Sequence, residues 1–405
     1  MRSVPGRPEA DVEMVAELCW EEPSVAPGAS AGCTPIVHRA RWRSENGLPP
    51  PRRVVVADDT MKADTAWRLA CEGTAVLWRG DYHNARQLLQ AMGRRADSRP
   101  RKRTQAPATT AEVFHLHRMA QAQRARTLGM LLIPVEAGGR IPLRRAPDVA
   151  QVLAEAVVGT RDADLLDAPF VISLRELLGL IGAHEWRSKG VTVAALGALI
   201  HPWYGVFSPI RGEYLDLVAR APLPASTLAF DIGTGTGVIA AVLARRGVAR
   251  VLATDQDPRA LGCARDNLAR LGVGERVEVV EADLFPPGRA PLVVCNPPWV
   301  PAKPTAAIER AVYDPDSRML RGFLEGLAEH LTADGEGWLI LSDLAEHLGL
   351  RTRAQLLGWI EGAGLRVLGR EDIRPRHAKA ADSGDALHAA RAAEITSLWR
   401  LAISA

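Results

Sequence analysis

The run PLVVC at residues 291–295 reads as a buried strand, and it stops at Asn296, Pro297, Pro298 and Trp299. Two prolines remove two backbone N–H donors and fix φ, so the turn is rigid while the carbonyls of Asn296 and Pro297 remain acceptors. Rigidity aims what the turn carries. An amide or aromatic amine is a poor nucleophile because its lone pair is delocalised into the adjacent π-system. Two acceptors gripping its N–H groups, the Asn296 side-chain oxygen and the Pro297 carbonyl, would favour charge at nitrogen and orient it. Trp299 offers a face on which a flat acceptor group stacks. The plainer reading is a strand ending in a proline turn beside a core tryptophan.

A second constellation lies upstream. DIGTGTG, residues 231–237, follows an apolar strand and opens a helical stretch, with Gly233, Gly235 and Gly237 separated by Thr234 and Thr236. Glycine allows a tight turn and a close approach of ligand to backbone. A dinucleotide loop fits poorly, because the third glycine comes too early and Asp231 places a carboxylate where a pyrophosphate would lie. That carboxylate suits a cationic ligand. Asp255, followed by Gln256, ends the next strand, and Asp283, followed by Leu284, ends the one after. Three successive strands thus deliver an acid to one sheet edge, with Asp255 suited to ribose hydroxyls and Asp283 to an exocyclic amine. As helix or turn caps the same aspartates would need no ligand.

The elements that must position these residues are legible from Leu228 onward. TLAFDIG, RVLATD, RVEVVEAD, PLVVCNPP, GWLILSD, LRVLGRED and SLWRLAIS are seven strand candidates, with helical periodicity between most of them. Such alternation implies an α/β, mainly parallel sheet with helices on both faces and a ligand outside the carboxyl ends of the strands. The last two candidates lack a full crossover helix, so antiparallel pairing is expected at one end.

The series DIGTGTG, TDQDP, EADLF and NPPW resembles the motifs of class I S-adenosylmethionine-dependent methyltransferases. The NPPW element is similar to that of the amino-group methyltransferases, among them the HemK/PrmC-type protein glutamine methyltransferases and the N6-adenine enzymes. The resemblance covers residues 201–405 and implies a Rossmann-like seven-stranded methyltransferase sheet. It also implies that Asp231, Gly233, Thr234, Gly235 and Gly237 contact the methionine part of S-adenosylmethionine, Asp255 and Gln256 its ribose, and Asp283 with Leu284 its adenine. Asn296, Pro297 and Trp299 then serve the acceptor, with Asn296 also bordering the cofactor and no metal involved. SPIRGEYLDLV, residues 208–218, resembles the segment that precedes the cofactor loop in the glutamine enzymes, with altered spacing. It puts Glu213 either near the cofactor or on a helix surface. The segment after NPPW lacks that family's Glu-Pro and Gly-Gly features. The implied acceptor is a glutamine amide of a translation protein; N6 of adenine in RNA or DNA, or a binding module without chemistry, are the alternatives.

The remaining chain carries fewer signals. A length of 405 residues allows two or three cores. The expected domains are a poorly ordered arm over 1–50, a mostly helical α+β region over 51–200 that recognises a macromolecular acceptor, and the methyltransferase domain over 201–405. Five cysteines, Cys19, Cys33, Cys71, Cys263 and Cys295, show no C-x-x-C pairing and read as buried free thiols. No apolar run has membrane-spanning length and the N-terminus has no apolar h-region, so a cytoplasmic protein is expected. Arg94, Arg95, Arg99, Arg101, Lys102 and Arg103, against the single acid Asp97, form a flexible basic segment that meets phosphates of RNA or a ribosome, or is only a solvated loop. His377, Lys379 and His388 lie in a long connection that either borders the substrate site or is only surface.

Overall fold

The computed structural model describes residues 16–22, 36–98, 109–158, 164–209, 212–304, 307–375 and 384–404. The chain divides into two compact units. One comprises Met1–Arg99, Arg126–Ala150 and Asp164–Leu177; the other comprises Pro100–Ala125, Gln151–Ala163 and Leu178–Ala405.

In the first unit, strands β1 (Glu17–Glu22), β2 (Ile36–Arg43), β3 (Arg53–Ala57), β4 (Thr74–Trp78), β5 (Leu131–Val135) and β6 (Phe170–Ser173) form a mixed sheet in the order β1-β2-β6-β5-β4-β3. Helices α1 (Ala63–Cys71) and α2 (Tyr82–Ser98) follow β3 and β4. Two expectations are corrected here. The arm expected over residues 1–50 contains β1 and β2, because alternate residues Leu18 and Trp20 pack with Ala75, Leu77, Leu132 and Val171. Within the region expected to be mostly helical over 51–200, the stretch AWRLACEGTAVLW is α1 followed by a left-handed Gly73 at φ 77° and the wholly buried strand β4 of a six-stranded sheet. A continuous apolar run is equally compatible with a buried strand, and sheet pairing decides it.

Helices α3 (Thr110–Leu128), α4 (Ala150–Val157) and α5 (Leu174–Lys189) belong mostly to the second unit, together with a hairpin of β7 (Val191–Val193) and β8 (Ala198–Ile200). That unit therefore starts upstream of the expected boundary at residue 201 and draws in two earlier segments. Its helices continue as α6 (Glu213–Arg220), α7 (Val238–Arg245), α8 (Pro258–Arg270), α9 (Arg318–His330), α10 (Leu344–His347), α11 (Arg353–Gly362) and α12 (His388–Ala393). All seven strand candidates form: β9 (Leu228–Ile232), β10 (Arg250–Asp255), β11 (Val277–Glu281), β12 (Ala290–Cys295), β13 (Leu331–Ser342), β14 (Leu365–Ile373) and β15 (Thr396–Ile403). Their order is β11-β10-β9-β12-β13-β15-β14, with β15 antiparallel to both neighbours and the other pairs parallel.

Alternation along the strands builds two cores. Ala229, Leu292, Val294, Trp338 and Ile340 pack with α6, α7 and α8 on one face. Phe230, Val293, Cys295, Leu339 and Leu341 pack with α9 and α11 on the other. Because both faces are covered, the central strands carry apolar residues at nearly every position. Helix α7, VIAAVLAR, is apolar around its whole circumference for the same reason, with Val238 to Ala244 all buried. Asp257 caps α8 by accepting from the Arg259 N–H at 2.9 Å, and Pro258 fills the first helical position.

Within the sheet, Glu336 is buried and accepts from Trp338 Nε1 at 3.0 Å and from Arg400 Nε at 2.8 Å. Burial alone would raise its carboxyl, but the hydrogen bonds from Arg400 and Trp338 outweigh it and hold the group below its ordinary value. A carboxylate lowered in the folded state adds stability that is present above the unfolded value and is lost as pH falls through the folded one. Arg400→Met strands that charge and is expected to cost about 2–3 kcal/mol near pH 7. The gap to wild type should narrow below about pH 4. Urea unfolding at pH 7 and pH 4 reads both effects, and a pH-independent gap would exclude the ion pair as the cause.

Candidate active site

The strand order reverses at β9, whose neighbours β10 and β12 lead away in opposite directions. Loops leaving the carboxyl ends of β9 and β12 therefore diverge and open a crevice. A cavity of about 850 Å³ occupies it, lined by Gly233, Thr234, Gly235, Asp255, Gln256, Asp283, Leu284, Asn296, Pro297 and Trp299, among others. Ten of the residues singled out from sequence thus meet in one place.

The glycine loop is held from below. Thr234 N donates to Thr254 O at 2.8 Å and Gly235 N to Asp255 Oδ2 at 3.0 Å. Gly233 sits at φ 71°, and a Cβ there would lie 2.4 Å from Met319 Cε. Gly237, at φ 78°, does not line the cavity; its missing side chain lets α8 approach, since a Cβ would meet Ala264 at 3.3 Å. Asp231 is also outside the lining, fully buried beneath the loop. Its Oδ2 accepts from Thr234 Oγ1 at 2.6 Å and from Ala240 N at 3.1 Å, while Oδ1 is buried without a partner. Burial pushes this carboxyl up to about 6, against the pull of its two donors.

Asp255 carries both loop and cavity duties. Its Oδ1 accepts from Asp257 N at 3.0 Å, its Oδ2 binds the glycine loop, and burial raises its carboxyl. Asp283 is exposed at the rim, where Oδ2 pairs with Arg318 at 2.7 Å. Leu284 adopts φ 95° and its carbonyl accepts from Thr254 Oγ1 at 2.5 Å. A branched residue in that region is strained, and such strain persists where surroundings over-determine the backbone.

Asn296 is fixed on two sides. Its Oδ1 accepts from Trp299 Nε1 at 2.8 Å, and its side chain also hydrogen-bonds with the Tyr214 hydroxyl. Trp299 therefore orients the asparagine as well as presenting a ring face. Burial, and then the charge of Asp231, push the Tyr214 phenol far above its ordinary value, so it stays neutral. Sequence reasoning chose Glu213, which does not line the cavity; the adjacent, buried Tyr214 does. The signal lay in the α6 pattern, where Tyr214, Leu215, Leu217 and Val218 turn inward and Glu213 does not.

Other expected features fall elsewhere. Arg94 and Arg95 belong to α2 rather than to a flexible segment, with Arg95 paired to Asp64 at 2.7 Å; Arg99, Arg101, Lys102 and Arg103 lie outside the described residues. Cys263 and Cys295 are buried but Cys19 and Cys71 are exposed, and Cys33 is outside the described residues. His377 and Lys379 are also outside them, yet the same connection supplies Arg391 to the cavity. Among the described residues, no cluster of His, Cys, Asp or Glu is placed to hold a metal, and no helix is long and apolar enough to cross a membrane.

Residues 216–352 match the methyltransferase small domain. The release factor glutamine methyltransferase of Mycolicibacterium smegmatis is 36% identical over 195 residues, which cover 44% of this chain and 68% of that protein. The chain belongs to the release factor glutamine methyltransferase family. A member from Cereibacter sphaeroides is 32% identical over 169 residues, 38% of this chain and 58% of its own length. The tRNA1(Val) (adenine(37)-N6)-methyltransferase of Bacteroides thetaiotaomicron is 32% identical over 127 residues, 29% of this chain and 53% of that protein. The chain is thus a class I methyltransferase and its cofactor is S-adenosylmethionine. The cavity fits that cofactor: its glycine-lined floor admits close approach of a ligand to the backbone, and Asp255 and Asn296 offer side-chain acceptors in the lining.

Two outcomes follow for cofactor binding. The charged form of Asp231 accepts from Thr234 Oγ1 and Ala240 N beneath the glycine loop, so cofactor affinity is expected to fall as pH drops through about 6 and the loop loses that support. Asp231→Asn should bind weakly with a flat profile. Asp255→Ala should weaken binding by about 1–3 kcal/mol, through lost ligand contacts and a loosened glycine loop. Calorimetry between pH 5 and 8 reads all three proteins, and a flat wild-type profile would remove Asp231 from the site.

Proposed function

We propose that the protein transfers a methyl group from S-adenosylmethionine to the side-chain amide nitrogen of a glutamine in a translation-related protein. The observation that carries this reading is the doubly fixed Asn296 on a rigid proline turn facing the cofactor cavity. Relatives named for release factor glutamine methylation support the choice of amide. Gly233, Thr234, Gly235, Asp255, Gln256, Asp283 and Leu284 hold the cofactor in this reading, with Asp231 beneath them. When bound, the cofactor supplies an electrophilic methyl group on a sulfonium.

The chain's own work is orientation and charge. Asn296 Oδ1 has two lone pairs, and the indole N–H occupies one, so the second remains for an acceptor N–H. The Pro297 carbonyl takes the other N–H; among the described residues no backbone donor reaches it. Two acceptors stabilise positive charge as it develops on nitrogen, the rigid turn fixes the direction of attack, and the methylated nitrogen returns to a neutral amide by losing one of its two N–H protons to solvent. Tyr214, neutral and buried, locks the amide rotamer so that its oxygen and not its nitrogen faces the acceptor. Trp299 covers the planar group and excludes water.

A second reading, methylation of adenine N6, is supported by the adenine-modifying relative and by the same demand for two N–H acceptors. A cofactor-binding module without chemistry is opposed by the intact Asn296 clamp. The first unit, with Arg94 and Arg95 at the end of α2, is proposed to recognise the macromolecular acceptor.

Incubation of the full chain with unmethylated release factor and labelled cofactor, followed by protease digestion and mass spectrometry, is expected to show label on a glutamine, and acid hydrolysis should release that label as methylamine. Label that nuclease but not protease removes from a cell extract would establish the adenine reading instead. Asn296→Ala should lower single-turnover rates by roughly two to three orders of magnitude with cofactor affinity retained. Tyr214→Phe should lose about tenfold, as for one orienting hydrogen bond. Trp299→Phe keeps the ring but drops the N–H, and should fall between wild type and Trp299→Ala. Wild-type rates in Asn296→Ala would make the turn mere architecture.

A further inference from the structure

Helix α9 begins with a charge that its own dipole disfavours. A helix N-terminus favours acids, yet Arg318 stands at the first position of α9 and no acid occupies the first turn. A choice that local rules disfavour needs a gain elsewhere. The arginine lines the cofactor cavity, and its Nη2 donates to Asp283 Oδ2 at 2.7 Å. We propose that Arg318 is a positioning residue for the cofactor's nucleobase: by holding Asp283 Oδ2 it leaves Oδ1 as a fixed acceptor for an exocyclic amine, and so makes the site selective for adenine over a 6-oxo purine. This rests on the placement of Asp283 and Leu284 at the adenine, proposed above, and adds the residue that gives that contact its selectivity.

Both partners stand on fixed backbone. On the α9 side, buried Asp314 accepts from Met319 N at 3.0 Å and from Leu320 N at 3.1 Å, so a carboxylate upstream of Arg318 satisfies the helix start. The Asp314 N–H donates to Val300 O at 2.9 Å, which ties that start to the segment after Trp299. Met319 then packs on the glycine loop, where a Cβ at Gly233 would lie 2.4 Å from its Cε. One turn on, a Cβ at Gly322 would lie 2.8 Å from Leu284 Cδ1, so the missing side chain admits Leu284 against the helix. On the Asp283 side, the next residue, Leu284, is held at φ 95° with its carbonyl accepting from Thr254 Oγ1. The start of α9 and the end of β11 are thus clasped together beside the ion pair.

The side chains of Arg318 and Asp283 are 65% and 56% exposed. An ion pair so exposed adds almost nothing to stability, because water screens it and two side chains lose freedom. Between pinned supports its effect falls on geometry instead. Asp283 Oδ1 has no partner among the described residues. An ionised carboxylate only accepts, so this oxygen suits the N6 amine of adenine and repels the oxygen that replaces it in hypoxanthine. With Oδ2 engaged by Arg318, the carboxylate is hindered from turning away from that misfit.

The test uses the full chain with S-adenosylhomocysteine and its deaminated analogue S-inosylhomocysteine, each titrated by calorimetry at neutral pH. Wild type is expected to prefer the amine by about thirtyfold, one charge-assisted hydrogen bond with a misfit in its place. Arg318→Met keeps the aliphatic stem and should cut the preference to about fivefold, while Arg318→Lys retains part of it. Asp283→Asn should also lose the preference, and Arg318→Met added to Asp283→Asn should change nothing further, the non-additivity expected of a residue that acts through another. Raising salt from about 0.05 M to about 0.5 M should shrink the wild-type preference and leave that of Arg318→Met flat. Unfolding midpoints without ligand check that each variant is folded. A preference unchanged in Arg318→Met overturns the inference and leaves Asp283 at the adenine. Equal affinity of wild type for the two ligands overturns both. A preference that falls in Arg318→Met but persists in Asp283→Asn also overturns the inference, because the arginine would then read the base directly.

Discussion

The reversal of strand order at β9 is the constraint on which the rest of the site depends. Because β10 and β12 lie on opposite sides of β9, the loops after β9 and β12 run apart, and the crevice between them lies at the ends of the strands that carry the motifs. The glycine loop, Asp255, Asp283 and the Asn296 turn are far apart in the chain but adjacent there because register fixes them. Ile232 pairs with both Thr254 and Cys295, so the residues that follow all three strands emerge at one level. Catalytic geometry is set by backbone pairing before any side chain is chosen.

On that platform the site uses few groups, each held by a partner. Asp231 supports the glycine loop from beneath and leaves one oxygen unmatched in a buried place, a costly arrangement. Asp255 joins loop to cavity. Asn296 is gripped between an indole N–H and a phenol, so its carboxamide is held in one orientation. Around this centre, Phe114 of α3, Ala390 of α12 and Leu387 just before it pack with Val300, and Arg118 pairs with Glu309 on the segment after Trp299. Elements outside the seven-stranded sheet thus shape that wall of the cavity.

Much of this was legible because it is local. All seven strands from Leu228 to Ile403 show apolar runs bounded by turn residues, and the motifs sit at their ends. Asn296 and Asp255 were visible for that reason. What escaped depends on tertiary pairing. Strands β1 and β2 are short, flanked by Pro- and Gly-rich sequence, and become strands only by burying Leu18 and Trp20. Strand β4 looked like the continuation of α1 because a buried strand lacks a period of its own. Glu213 was chosen because SPIRGEYLDLV resembles the segment before the cofactor loop of the glutamine enzymes, whereas burial places Tyr214 against Asn296 and leaves the glutamate outside the lining. The indole N–H on Asn296 Oδ1 needs the folded turn to be seen at all.

A bisubstrate ligand tests the central claim most directly: the cofactor's nucleoside and amino-acid parts, with nitrogen in place of the sulfonium, joined through one methylene to a glutamine amide nitrogen. It fills both halves of the cavity in the geometry of transfer, and its affinity for the full chain can be compared with that of S-adenosylhomocysteine by calorimetry. The account predicts binding at least about a hundredfold tighter than S-adenosylhomocysteine, with most of that gain lost in Asn296→Ala. Affinity no better than that of S-adenosylhomocysteine, or a gain indifferent to Asn296, would contradict it.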